Sequence, residues 1–200
     1  MAGARGADGE NGERAAHAAG APSPAPLRRL AGQGRPPLVA LRVRPVEPRS
    51  ANQRAYLECA ERQPLTFGIG MAGTGKTFLA VWAAVRALRS GSCRRLIITR
   101  PVVEAGERLG FLPGDVQAKL NPYMRPVYDA LQEILAYEDV HQLEEHGVVE
   151  IAPLAYMSGR TFSNSVVILD EAQNATVAQM RMFLTRLGEG SRMVDRKSVV

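Results

Sequence analysis

The stretch Leu65-Thr-Phe-Gly-Ile-Gly70-Met-Ala-Gly-Thr-Gly75-Lys76-Thr77 decides the fold of this 200-residue chain. Leu65 to Gly70 is a short apolar run that breaks into glycines, as a buried parallel strand does. Phe78 to Leu88 then reads as a helix closed by Gly91. Between strand and helix, Gly70-Met71-Ala72-Gly73-Thr74-Gly75-Lys76-Thr77 satisfies the phosphate-loop pattern in the context that pattern requires. Gly70, Gly73 and Gly75 open backbone conformations closed to side chains, so successive amides can point inward at a triphosphate. The nest empties onto a helix N-terminus, whose partial positive charge adds to the cradle. Lys76 supplies a mobile cation for the β- and γ-phosphates, and Thr77 offers a hydroxyl to Mg²⁺.

Working outward, Leu96-Ile-Ile-Thr99 is a second strand and Val148-Val-Glu-Ile151 a third. Pro122 to Tyr137 is expected to be helical, with Asn121 as cap, Pro122 at the first position, and Pro126 kinking the helix or moving its start. Val127, Leu131, Ile134 and Leu135 form its core stripe. Val166-Val-Ile-Leu169 is another strand, and it runs into Asp170-Glu171 at the sheet edge where open α/β sheets bind ligands. Val177, Met180, Phe183, Leu184 and Leu187 then repeat at helical spacing up to a stop at Gly188. Strands alternating with helices predict an α/β fold with a mainly parallel sheet. Asp170 is placed to orient Mg²⁺ through its waters, and Glu171 to polarise a water for in-line attack. That pair favours hydrolysis over a kinase; a small-molecule phosphotransferase is the alternative enzyme class.

Composition narrows the remaining choices. Apolar residues make up 46% of the chain and the longest uncharged apolar run is Phe78 to Val85, too short to cross a bilayer. Cys59 and Cys93 form no Cys-x-x-Cys, which fits a reducing, cytoplasmic compartment, and His141 and His146 are spaced for different helix faces. The net charge of +5 is concentrated in residues 1–50, where eight arginines face four acids. Residues 1–48 are accordingly read as a flexible Ala/Gly/Pro/Arg-rich tail and 49–200 as the folded domain. The arginines from Arg28 to Arg49 are either a solvated linker or a contact for phosphate backbone.

Longer peptides carry a resemblance: Ala51-Asn-Gln-Arg-Ala-Tyr56, Thr99-Arg-Pro-Val-Val-Glu-Ala-Gly-Glu107, Leu109-Gly-Phe-Leu-Pro-Gly-Asp115, Pro153-Leu-Ala-Tyr-Met157, and Val167-Ile-Leu-Asp-Glu-Ala-Gln-Asn174 through Gly188. With the phosphate loop, they make the chain similar to the PhoH-like ATPases, P-loop NTPases related to superfamily 1 helicase cores. The resemblance implies ATP and Mg²⁺ as ligands, RNA as a polymer partner, and an RNA-processing nuclease as a docking partner. It also implies a homo-oligomeric ring in complete members. Gln53 resembles the glutamine that recognises adenine, with Tyr56 nearby; an exposed helix face is the alternative for both. Arg100 resembles the segment through which such cores couple nucleotide to nucleic acid, and Arg186 is assigned to a neighbouring subunit's nucleotide. A regulatory, nucleotide-dependent interaction module without polymer binding is the contrasting class.

Three departures stand out. Met71 replaces a proline usual in the loop, and Ser158 stands where the family shows arginine. After Met193-Val194 the chain reads Asp195-Arg-Lys197, where the family continues a strand bearing Gly-Asp and a glutamine sensor. Because a central parallel strand is buried on both faces, those charges are expected to end it. The expectation is a C-terminally truncated domain with Leu65–Ile69 and Val166–Leu169 left as unpaired edges.

Overall fold

The structure is a computed structural model that describes residues 41–101 and 116–199. The turn glycines Gly106, Gly110 and Gly114 and most of the second and third signature peptides lie outside those residues. In chain order the elements are α1 (Ala51–Arg62), β1 (Leu65–Met71), α2 (Lys76–Arg89), β2 (Arg95–Arg100), α3 (Val116–Ile134), α4 (Tyr137–Glu145), β3 (Val149–Pro153), β4 (Ser165–Leu169), α5 (Val177–Leu184) and β5 (Arg192–Val199). The strands form one parallel sheet in the order β1-β5-β4-β2-β3.

Alternation along the strands divides the apolar side chains between two cores. Leu96, Ile98, Val166, Ile168 and Val194 point to the layer built by α1, α2, α3 and α4, which also buries Leu79, Leu88, Val127 and Leu131. Ile97, Val167, Leu169 and Met193 point to the other layer, with Phe162 and Phe183. Continuous burial of β4 on both faces follows from this sandwich and explains why it reads as an unbroken apolar run. Helix α1 lies against β1 closely enough that a Cβ at Gly68 would sit 2.6 Å from the Tyr56 ring, so glycine there is a packing requirement.

Several expectations need revision. Helix α3 starts at Val116, so Asn121 and Pro122 lie within it and not at its start; it ends at Ile134, and a separate α4 follows. Helix α5 stops at Leu184, and Val177 is 79% exposed, so the apolar repeat overstated both its length and its core. Residues 41–48 have no regular structure, yet Leu41 is buried, the Arg44 amide bonds the Ile134 carbonyl, and the Trp82 indole bonds the Arg44 carbonyl. The packed chain therefore starts by Leu41 rather than at 49.

The largest correction concerns the strand expected to fail. Arg192–Val199 forms β5 and inserts between β1 and β4, pairing Leu65 with Met193 through Met71 with Val199, and Val166 with Arg192 through Leu169 with Asp195. Leu65–Ile69 and Val166–Leu169 are therefore paired on that side; among the described residues β1 is the edge strand, with Phe67, Ile69 and Met71 exposed. The charges are tolerated because this end of the strand reaches the C-terminal rim of the sheet. Arg196 meets two carboxylates there and Lys197 is exposed. Asp195 alone is buried, in register with Phe67 and Leu169, and burial pushes its carboxyl up to about 6.

That displacement has a signed consequence. A carboxyl that holds its proton more tightly when folded stabilises the fold below the ordinary aspartate range and loses that contribution as pH rises through about 6. Asp195→Asn is expected to raise the unfolding free energy by about 2 kcal/mol at neutral pH, with the gain vanishing toward about pH 4. Urea unfolding across that window checks it; an equal effect at both ends would show that Asp195 does not titrate there.

Candidate nucleotide-binding site

The phosphate loop joins β1 to α2, with Gly73 at φ 73° and Gly75 at φ 79°, both in the left-handed region that favours glycine. Gly75 is the residue preceding α2, so Lys76 and Thr77 are its first two residues. Lys76 is only 8% exposed, and its ammonium donates to the Gly70 carbonyl at 2.9 Å, the Met71 carbonyl at 2.5 Å and Thr74 Oγ1 at 3.2 Å. Burial, then the charge of Arg196, lowers its pKa despite the two nearby carboxylates.

Strand β4 delivers the acidic pair to the same rim. Thr77 Oγ1 donates to Asp170 Oδ1 at 2.9 Å, closing a gap of 93 residues in sequence. Asp170 is 1% exposed, and its amide bonds the Thr99 carbonyl at 2.8 Å. Glu171 adopts φ 55°, unusual for a residue with a side chain, which turns the chain out of the strand immediately after Asp170. Two arginines close on the pair. Arg100 Nε lies 3.2 Å from Asp170 Oδ2 and its Nη2 lies 3.4 Å from Glu171 Oε1. Arg196 Nε lies 3.3 Å from Asp170 Oδ1, and its Nη1 bonds Glu171 Oε1.

The two carboxyls respond in opposite directions. Burial raises the Asp170 pKa even against Arg196, Arg100 and the Thr77 hydroxyl. Burial also opposes ionisation of Glu171, but hydrogen bonds from Arg196 and Gln173 and the charges of Arg196 and Arg100 outweigh it and hold that pKa below the ordinary glutamate value. A cleft of about 400 Å³ opens above these groups, bounded by Gly73–Phe78, Arg100, Asp170, Glu171, Arg196 and a face of α3.

The other sequence candidates fall in different places. Gln53 stands beside the loop: its Nε2 donates to the Thr74 carbonyl at 3.1 Å and its Oε1 accepts the Arg49 amide at 2.6 Å. It borders two cavities that flank the loop, of about 680 and 460 Å³. Tyr56 packs over Gly68 with its hydroxyl buried and without a hydrogen bond, which removes it from an exposed helix face. Arg186 is held within the chain, donating to the Met182 and Arg160 carbonyls and Thr185 Oγ1. Ser158 is exposed, while nearby Arg160 makes a two-pronged bond to Glu150 at 2.6 and 2.7 Å. Arg196 was missed because its segment was expected to leave the sheet; only the pairing of β5 places it on the acids.

Loop, acidic pair and parallel sheet define an α/β domain of the P-loop NTPase class. A family profile described as PhoH-like protein matches residues 45–198. The chain is 58% identical over 146 residues to a PhoH-like protein of Bacillus subtilis, covering 73% of this chain and 46% of that protein. It is 56% identical over 149 residues to a PhoH-like protein of Synechocystis (74% and 45%) and 53% identical over 147 residues to Protein PhoH of Escherichia coli K12 (72% and 42%). The chain belongs to the PhoH-like protein family, and it spans less than half the length of these curated relatives.

The Thr77–Asp170 bond supports the fold as well as the site, because a buried carboxylate deprived of a donor costs roughly 1–3 kcal/mol. Thr77→Val, which keeps the shape, is expected to lower nucleotide-free stability by about 1–2 kcal/mol. An unchanged urea midpoint would show that the arginines alone satisfy Asp170.

Proposed function

We propose that this domain binds Mg-ATP and hydrolyses it, in the cytoplasm, with Lys76 on the phosphates, Thr77 and Asp170 toward the metal, and Glu171 toward the attacking water. The observation that carries the reading is the convergence of Lys76, Thr77, Asp170 and Glu171 on one cleft at the C-terminal rim of the sheet.

The residues present suit the group. Gly73, Thr74 and Gly75 border the cleft, and α2 begins there, so a helix N-terminus suited to an anion lies at its edge. The Lys76 ammonium rests on the loop's own oxygens, which it can leave for phosphate oxygens at little reorganisation. Thr77 and Asp170 provide an oxygen donor set of the kind that Mg²⁺ takes while keeping most of its waters. Bound Mg²⁺ would neutralise charge developing on the transferred phosphoryl group. Glu171, displaced from Asp170 by its left-handed backbone, is the group able to hold a water and receive its proton once Arg100 and Arg196 turn to the phosphates. Gln53, bordering the cavities beside the loop, supports an adenine contact in the space it shares with Pro45, Val46 and Phe78.

Glu171→Gln is expected to retain ATP binding while losing about 10²–10³ in turnover. Phosphate release from ATP without an added acceptor measures this and separates hydrolysis from phosphotransfer; undiminished turnover removes Glu171 from the role.

The polymer partner proposed is RNA, on family resemblance and on the arginines between Arg28 and Arg49. Affinity for single-stranded RNA is expected to fall with salt at a log–log slope of roughly −0.7 per phosphate contact. Absence of binding at low salt would favour a nucleotide-dependent interaction module, one that docks a nuclease without gripping RNA. Assembly into a ring is also proposed from the family, with Arg186 at the subunit boundary.

A further inference from the structure

One side chain spans the cleft from the sheet to α3. Arg100 leaves the end of β2 and is 17% exposed at its side chain. Its Nε and Nη2 face Asp170 and Glu171 at 3.2 and 3.4 Å, and its Nη1 donates to the main-chain carbonyl of Tyr123 at 2.5 Å. A guanidinium is rigid and planar, so these three contacts are geometrically linked. Tyr123 sits in α3, one turn before the residues that line the cleft. A helix carbonyl has two lone pairs, so the Tyr123 carbonyl accepts from Arg100 beside its place in the helical ladder.

The same helix turns Pro126, Asp129, Ala130 and Glu133 into the cleft. The sheet side of the cleft therefore carries Lys76, Arg100 and Arg196 with the Asp170–Glu171 pair they face, while the α3 side carries two carboxylates and no cation among the lining residues. A polyanion entering between them attracts Arg100 and repels Asp129 and Glu133. Both effects weaken the hold of Arg100 on Tyr123 and push α3 in one direction, which is the differential interaction a ligand needs to shift a conformational equilibrium.

We propose that Arg100 is a positioning residue that ties α3 to the Asp170–Glu171 pair, so that charge entering the phosphate cleft is reported to α3. The proposal rests on the nucleotide reading of the cleft, and it gives Arg100 a role inside the domain rather than on a polymer surface.

The test is amide hydrogen exchange over Tyr123–Glu133 in the full chain, with and without Mg²⁺ and a non-hydrolysable ATP analogue, with occupancy read separately by thermal shift. In the unmodified protein, exchange in this turn should rise several-fold on occupancy. In Arg100→Gln it should be high already and change much less with nucleotide, because only the repulsion of Asp129 and Glu133 remains. Arg100→Lys can restore a cation to the acids without also reaching Tyr123, so it should recover part of the turnover while leaving the α3 response as weak as in Arg100→Gln. In steady-state assays, Arg100→Gln should lose about 10-fold in kcat with little change in KM. If the analogue binds and α3 exchange does not change, or if either variant responds as the unmodified protein does, the proposal is overturned and the nucleotide reading stands. If the analogue gives no thermal shift, the nucleotide reading falls and takes the proposal with it.

Discussion

A carboxylate that is 1% exposed has to find its donors inside the protein, and Asp170 finds them on three separate elements. Thr77 comes from the start of α2, Arg100 from the end of β2 and Arg196 from β5. Each can reach Asp170 only because the parallel sheet brings the ends of its strands to one rim. The site and the sheet are therefore one energetic unit: loosening any of these elements exposes a charge the interior cannot solvate.

Strand β5 is the element on which this geometry turns. It separates β1 from β4, setting the distance between phosphate loop and acidic pair, and its own side chains fill the space beside them. Met193 and Val194 enter the two apolar cores, while Arg196 emerges among the carboxylates. Asp195 bears the cost, buried between apolar neighbours with one oxygen lacking a hydrogen bond. A strand that crosses from core to rim within a few residues obeys two rules of burial, one for each end.

The charged groups of the cleft are internally compensated. Lys76 rests on loop oxygens, and both arginines rest on Asp170 and Glu171. Holding Glu171 below its usual pKa keeps it ionised but makes it a weaker base. Under the proposed function, a polyanion would exchange these internal pairs for pairs with the ligand, which would couple binding to release of Glu171 through the same guanidinium groups. The strained backbone of Glu171 is consistent with a residue positioned for chemistry rather than for strand stability.

Local sequence determined the strand–loop–helix of Leu65 to Leu88, the apolar β4 and the Asp170-Glu171 step, because glycine spacing, continuous hydrophobicity and helix periodicity act within a few residues. Those signals were sufficient for the fold class and for expecting Lys76, Thr77, Asp170 and Glu171 at one rim of the sheet, where the structure brings them together. The early start of α3 was illegible because two prolines, normally read as boundaries, are accommodated inside the helix. The short α5 was overread because apolar spacing does not say which side is covered. Only the tertiary structure decided that Asp195-Arg-Lys197 continues a central strand, that Arg100 reaches α3 and the acids together, and that Arg196 joins them. The physical reason is that the cost of a charge depends on what faces it, and the groups facing Arg196 and Arg100 come from segments 25 and 23 residues away or more.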